Sequence, residues 1–241
     1  ISSHLIISYF IISYPFLSYF YLMIKIFAFK CYNLPTMILI ANWKSTIPKN
    51  VNEYLRKVDR RIIIAPPMTH IPFIKNNTAA AQSCSLSKSI TGEVHFEVLK
   101  DMGLNFCIIG HYERRKYFNE TREESYEKAA ALVKLDIIPI LCCDEKSIEE
   151  DIQFAKGKNI TLAYEPVESI GTGSALSPEK VEHIVENVKS KCRNKVIYGG
   201  SVSSKNARHL IRAGVDGLIV GRLSLDFKEI NRIAELVPIF D

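Results

Sequence analysis

Glu165 is the residue of this chain best placed to do chemistry. It leaves the end of a short apolar strand (Ile160 to Ala163) and meets Pro166 at once. The run it opens is closed by Gly171-Thr172-Gly173, before Ser177-Pro178 starts a helix. A carboxylate at a strand's C-terminal end, beneath a loop with glycine hinges, suits proton abstraction beside a carbonyl, where water must be kept out. Alone, a Glu-Pro pair is only a strand-ending turn. It gains weight because other apolar runs end in comparable residues: Asn42-Trp43-Lys44, Gly110-His111-Tyr112-Glu113-Arg114-Arg115, Gly199-Gly200-Ser201 and Gly221-Arg222. Each has a duller reading as a solvated lysine, a packed histidine or a simple turn. Neither glycine pair forms a G-x-G-x-x-G fingerprint. Taken together they put an acid, an imidazole, an ammonium and glycine-rich turns at strand ends.

The elements that must position these groups are legible in the hydrophobic pattern. Strand-like runs fall at Ile38–Ala41, Arg61–Ala65, Ala79–Gln82, Phe106–Ile109, Ile137–Cys142, Thr161–Ala163, Lys195–Tyr198 and Gly217–Val220. They are nearly continuous in apolar residues, as expected for parallel strands covered on both faces. Helix signals alternate with them. Thr121-Arg122-Glu123-Glu124 reads as a capping box for a helix to about Lys134. Ser177-Pro178 supplies an N-cap and a first-position proline, followed by the stripe Val181, Ile184, Val185 and Val188. A further helix spans Ser204 to Ala213 and stops at Gly214. Eight strand–helix units in one alternation predict a (β/α)8 barrel, with a doubly wound open sheet as the alternative. From Met37 to the end 205 residues remain, compact against the ~250 usual for this architecture, so some helices must be short. The stretch from Asp144 to Ile160 leaves room for only a brief helix.

Composition narrows the function classes. Hydrophobic residues make up 47% and charged ones 24%, which excludes a disordered chain. Of the formal +5, Lys25 and Lys30 contribute two, leaving +3 spread evenly over the rest. That is too mild for nucleic acid as a partner, and compatible with a small anionic substrate. The six cysteines show no C-x-x-C and no clustering with histidine, so no metal site is expected and reduced, buried thiols are. Residues 1–24 hold no Asp, Glu, Lys or Arg and are rich in Ile, Phe, Tyr and Leu. Serines and Pro15 interrupt the run, no basic segment precedes it, and Met37 directly precedes the first convincing strand. Residues 1–36 are read as a hydrophobic extension outside the barrel, with a membrane anchor as the alternative.

The strand-end residues resemble the triosephosphate isomerase family from Met37 onward. The matching pieces are ANWK (41–44), APP (65–67), AAQ (80–82), TGE (91–93), GHYERR (110–115), AYEPVESIGTG (163–173), YGGSV (198–202) and VDGLIVGRLSL (215–225). Eight pieces in the right order are far more specific than any one. The resemblance implies a TIM barrel for residues 37–241 that interconverts dihydroxyacetone phosphate and D-glyceraldehyde 3-phosphate through an enediolate. It implies Glu165 as the base, His111 as a neutral electrophile, Lys44 offsetting negative charge, Asn42 positioning a substrate oxygen and Glu113 holding Lys44. Backbone N–H groups of Gly171, Ser201, Gly221 and Arg222 would seat the phosphate. No metal or organic cofactor, a cytoplasmic location and a homodimer are further implications. A barrel that binds sugar phosphate with impaired catalysis is the alternative.

Four departures from the family pattern carry expectations of their own. Glu168 stands where the family places tryptophan, and Tyr112 where it places a small serine next to the histidine. Together they predict a slower, less tightly closing lid. Arg222 replaces a glycine of the last phosphate turn, and the loop from Ser83 to Ile90 is short where the family inserts into a partner subunit.

Overall fold

Period-two alternation along the strands sorts their side chains into two cores. The computed structural model describes residues 37–169 and 172–237, so the expectations for residues 1–36 and for Gly171 lie outside the described residues. Eight strands follow in chain order: β1 (Ile38–Asn42), β2 (Ile63–Ala65), β3 (Ala80–Ala81), β4 (Phe106–Ile109), β5 (Ile138–Cys143), β6 (Thr161–Tyr164), β7 (Val196–Tyr198) and β8 (Gly217–Val220). They are hydrogen-bonded in parallel in the order β2-β1-β8-β7-β6-β5-β4-β3. The ring closes where Ile64 bridges Ala79. The expected (β/α)8 barrel is therefore the observed fold.

Ile38, Ile40, Phe106, Ile108, Ala163, Ile197 and Ile219 belong to the small core that fills the barrel interior. Leu39, Ala41, Ile64, Leu141, Leu162 and Leu218 belong to the larger outer core beneath the helices. Each fully buried Ile or Leu stabilises by roughly 1.5–3 kcal/mol relative to exposure, so the sorting is strongly enforced. Carrying the alternation two residues past the last interior residue puts Asn42 above Ile40, Glu165 above Ala163, Gly199 above Ile197 and Gly221 above Ile219. That parity is what delivers polar groups to the barrel mouth.

The helices are α1 (Val51–Lys57), α2 (Phe96–Asp101), α3 (Tyr112–Phe118), α4 (Arg122–Lys134), α5 (Ile148–Ala155), α6 (Pro178–Lys191), α7 (Ala207–Arg212) and α8 (Phe227–Leu236). Between β2 and β3 there is only a 3-10 turn, Met68–Phe73, which carries Pro72. Thr121 caps α4 by accepting the Glu124 N–H at 3.0 Å. The other half of the expected capping box gives way to an ion pair, Glu124 with Lys128 at 2.9 Å. Ser177 caps α6, and Val181, Val185 and Val188 are its buried stripe. The helix expected from Ser204 begins three residues later. Asn206 instead ties a turn together, accepting from Ser203 N at 2.9 Å and donating to Ser201 O at 3.0 Å. Such side-chain bonds compete with the first helical turn. The five described cysteines are free and buried. Among the described residues no helix is long and apolar enough to cross a membrane.

Candidate active site

Lys44 and Asn42 come off the end of β1 in a strained turn. Lys44 has φ +55°, a left-handed conformation that costs a side-chain-bearing residue roughly 1–2 kcal/mol. Two side chains hold it there. Asn42 Oδ1 accepts from Lys44 N at 3.1 Å, and Gln82 Nε2 donates at 2.8 Å to the carbonyls of both Lys44 and Ala65. The Lys44 ammonium then reaches Glu113 Oε1 at 2.6 Å, each side chain about one-third exposed. A β-carbon on Gly221 would lie 3.7 Å from Lys44 Cε, so β1 and β8 deliver their groups to the same place.

His111 caps α3 at the end of β4 and is 7% exposed. Its Nδ1 accepts the Glu113 backbone N–H at 3.2 Å. A ring nitrogen that accepts carries no proton, so this bond assigns the neutral tautomer with hydrogen on Nε2. The Glu113 carboxylate also lies 3.7 Å from Nδ1, but the shorter contact to the N–H governs. Nε2 faces Glu165 Oε2 at 3.4 Å. Glu165 is 6% exposed, and its Oε2 has no hydrogen-bond partner among the described residues. A buried carboxylate oxygen left unsatisfied is costly. Gly199 makes room for it, since a β-carbon there would sit 2.9 Å from Glu165 Oε1 and 2.3 Å from Ile219. Behind the base, burial first and then the Glu165 charge push the Cys142 thiol well up, so it stays a neutral packing group.

The described ends of the loop after Glu165 are fastened to the end of β7. Ser201 Oγ accepts from Gly173 N at 3.0 Å and donates to Ser169 O at 2.7 Å. Tyr198 OH accepts from Leu176 N at 2.9 Å. Ser201 itself has φ +49°, in the left-handed region. Asn42, Lys44, His111, Glu113, Glu165, Gly221 and Arg222 are thus linked at strand ends through short contacts or direct sequence adjacency, while Ser201 bonds the loop after β6.

A family model described as triosephosphate isomerase matches residues 37–237. The chain belongs to the triosephosphate isomerase family. Among proteins named triosephosphate isomerase, that of Buchnera aphidicola subsp. Cinara cedri is 33% identical over 250 residues, spanning 84% of this chain and 98% of the relative. That of Aquifex aeolicus is 31% identical, spanning 81% of this chain and 97% of the relative. That of Wolbachia sp. subsp. Brugia malayi is 30% identical, with 84% and 98% spanned.

Against the triosephosphate isomerase pattern, the departures fall at the margins of the site. Arg222 opens a 3-10 turn, Arg222–Leu225, and is not among the left-handed residues, so a side chain is accommodated there without strain. Tyr112 is half-buried, with Lys116 5.5 Å from its ring centre. Glu168 is exposed and lines a cavity of about 460 Å³ with Glu145, Tyr164, Leu176 and α6, outside the barrel mouth. The shortened loop folds on its own base, with Ser85 bridging His95.

Sequence reasoning gave no role to Glu120. It is 5% exposed and holds the histidine turn together. Its carboxylate accepts from Gly110 N and Ser125 Oγ, each at 3.2 Å, from Lys128 at 2.9 Å and from Arg114 at 3.2 Å. Lys128 reads in sequence as one more solvated helix lysine, yet it is 2% exposed. Gln82 was visible as part of a motif, but nothing in the sequence pointed it at the Lys44 carbonyl.

Proposed function

We propose that residues 37–241 form a working triose-phosphate isomerase that needs only its own side chains. Glu165 takes a proton from C1 of dihydroxyacetone phosphate, giving an enediolate, and returns it to C2 to make D-glyceraldehyde 3-phosphate. His111 donates its Nε2–H to the oxygen that gains charge. Triosephosphate isomerases are themselves the standard illustration of a carboxylate base paired with a neutral imidazole. Lys44, fixed by Glu113, offsets the developing oxyanion, and Asn42 orients a substrate oxygen. The phosphate rests on backbone N–H groups of Gly171, Ser201, Gly221 and Arg222, where glycine lets main chain come close to a dianion. The observation that carries this reading is the approach of His111 Nε2 to an otherwise unpartnered Glu165 oxygen at 3.4 Å.

The same reading places the enzyme in the cytoplasm as a homodimer. Ile47, Phe73, Ile90, Val98, Met102, Tyr117 and Phe118 are large apolar residues left exposed by the loops and helices of β1 to β4. A second copy of the chain is the occupant that would cover them. The alternative of a pocket that binds without turnover has no observation in its favour.

The test is a coupled assay of glyceraldehyde 3-phosphate isomerisation with the full chain and its Glu165→Asp variant. Shortening the base by one methylene should cut kcat by roughly a hundredfold, the cost of misplacing a reacting group by about 1 Å. A variant as fast as the parent would sink the assignment of the base.

A further inference from the structure

The ladder between β4 and β5 ends at the pair Ile109 and Leu141. One step further, the carbonyls of Gly110 and Cys142 have run past their strand partners, and two guanidiniums take over. Arg115 donates to both carbonyls and is held by Asp144 at 2.5 Å. Arg122, the first residue of α4, donates to Cys142 O at 2.9 Å and lies 3.3 Å from Asp151 Oδ1. Asp151 comes from α5 and is fully buried. It accepts the Tyr126 hydroxyl at 2.9 Å, and its other oxygen has no partner among the described residues.

A buried ion pair with an unused acceptor is a poor stability device, because apolar replacements of both partners are often neutral or better. The location of Arg122 supplies another role. The carbonyl it holds belongs to Cys142, whose buried thiol feels the charge of Glu165. The next residue, Cys143, accepts the Glu165 backbone N–H at 2.8 Å. On the other side, a β-carbon on Gly110 would stand 3.7 Å from Arg122 Nη1, and Gly110 directly precedes His111. One guanidinium therefore holds the strand end behind Glu165 and lies alongside the strand end beneath the imidazole, next to Arg115, which bonds both carbonyls.

We infer that Arg122, braced by Asp151, is a positioning residue that sets the separation of Glu165 and His111. The inference rests on the reading of Glu165 as the base. Cross-linking two strand ends matters most when the reacting atoms are already aligned, so the effect falls on kcat and leaves KM nearly unchanged.

The experiment compares the parent, Arg122→Met combined with Asp151→Asn, and Arg122→Lys, with Glu165→Asp run alongside. The double variant removes both charges together, so it should melt within about 4 °C of the parent. Its kcat should fall roughly tenfold or more with KM within about threefold. The primary isotope effect on kcat with C1-deuterated dihydroxyacetone phosphate should rise, because proton transfer then limits turnover. Partial unfolding lowers the active fraction and leaves that isotope effect alone. Arg122→Lys should recover much of the lost kcat, since one ammonium can still reach the Cys142 carbonyl. If the double variant melts early, the isotope effects of its folded fraction and of Arg122→Lys decide. An unchanged isotope effect, or a kcat within about twofold of the parent, overturns the positioning role. A parent without turnover, or a Glu165→Asp variant at full rate, overturns the assignment of the base and this inference with it.

Discussion

The half of the barrel built from β1 to β4 and the half built from β5 to β8 hold their share of the site by different means. In the first half the scaffold is spare. β3 is two residues long, and the β2–β3 connection has a 3-10 turn in place of a helix. Its site residues are fixed by charge: Lys44 to Glu113, Arg114 and Lys128 to Glu120, and Arg115 to Asp144. Among the described residues, seven of the nine exposed large hydrophobics belong to it, against Val167 and Leu223 in the other half. In the second half every strand is followed by a helix. Glu165 is enclosed by packing against Gly199 and Cys142, under a loop fastened by the hydroxyls of Ser201 and Tyr198. The difference follows from what each half must do. Groups that must stay still are braced by ion pairs on a thin scaffold whose outside leaves apolar residues exposed, the face proposed for a second copy. The proposed base sits on a self-sufficient scaffold, and the described ends of the loop after it are held by single neutral hydrogen bonds, which are weak.

The sharpest test of this contrast is His111→Gln. Losing the oriented Nε2–H should raise the barrier by about 2.7–4 kcal/mol, a hundredfold or more in kcat, with little change in melting temperature. Steady-state kinetics and calorimetry on the same sample would check both parts. Glu120→Gln should do the reverse, lowering stability by roughly 1.5–3 kcal/mol, because Lys128 and Arg114 lose the buried carboxylate they share and Lys128 keeps only the half-exposed Glu124. That change carries a pH signature. Burial pushes the Glu120 carboxyl up, but the bonds from Lys128 and Arg114 outweigh it and hold it below its ordinary 4.5. A depressed value means the stabilisation is complete above that ordinary value and is lost as pH falls toward the lower folded one. Urea unfolding at neutral and acid pH should show the parent losing more over that window than Glu120→Gln; equal losses would remove Glu120 from the account.

A third change addresses the apolar face. Tyr117→Asp with Phe118→Asp should yield a monomer by light scattering, with turnover per chain reduced roughly tenfold, about 1.4 kcal/mol of barrier. If the parent is itself a monomer at assay concentration, the proposed second copy is wrong and the first half is self-sufficient after all. The smallest effect is expected at the lid. Glu168→Trp should fill the cavity beside Tyr164 and Leu176 and raise kcat by roughly two- to threefold, since lid motion limits turnover in many such enzymes. An unchanged or lower rate would mean the exposed Glu168 does not slow closure.

How much was legible in advance depended on whether a residue's role is set along the chain or across it. The strands were readable because burial on both faces forces unbroken β-branched and apolar runs, and all eight fall within a few residues of expectation. The start of α6 was readable because Ser177-Pro178 acts locally. The start of α7 was not, because Asn206 spends its side chain on Ser201 and Ser203, a choice made by the β7 loop's position. Glu124 satisfied half of its local motif and gave the rest to Lys128. Glu120 was illegible although its partners are near in sequence: Gly110 at the end of β4, Arg114 in α3, and Ser125 and Lys128 in α4 converge on it only once that corner folds.

The sequence by itself determined which residues alternate into the barrel and which polar residues stand at strand ends, because period-two patterning and strand-ending turns are written in neighbouring positions. Family membership followed from that order of motifs. Only the tertiary structure decided that Glu165 and His111 face one another, that Lys44 passes Gly221 to reach Glu113, and that Arg115 ties the ends of β4 and β5 together behind them. Those distances depend on ring closure and on how each helix packs against its strands, and a free energy summed over many distant contacts leaves no local mark on the chain.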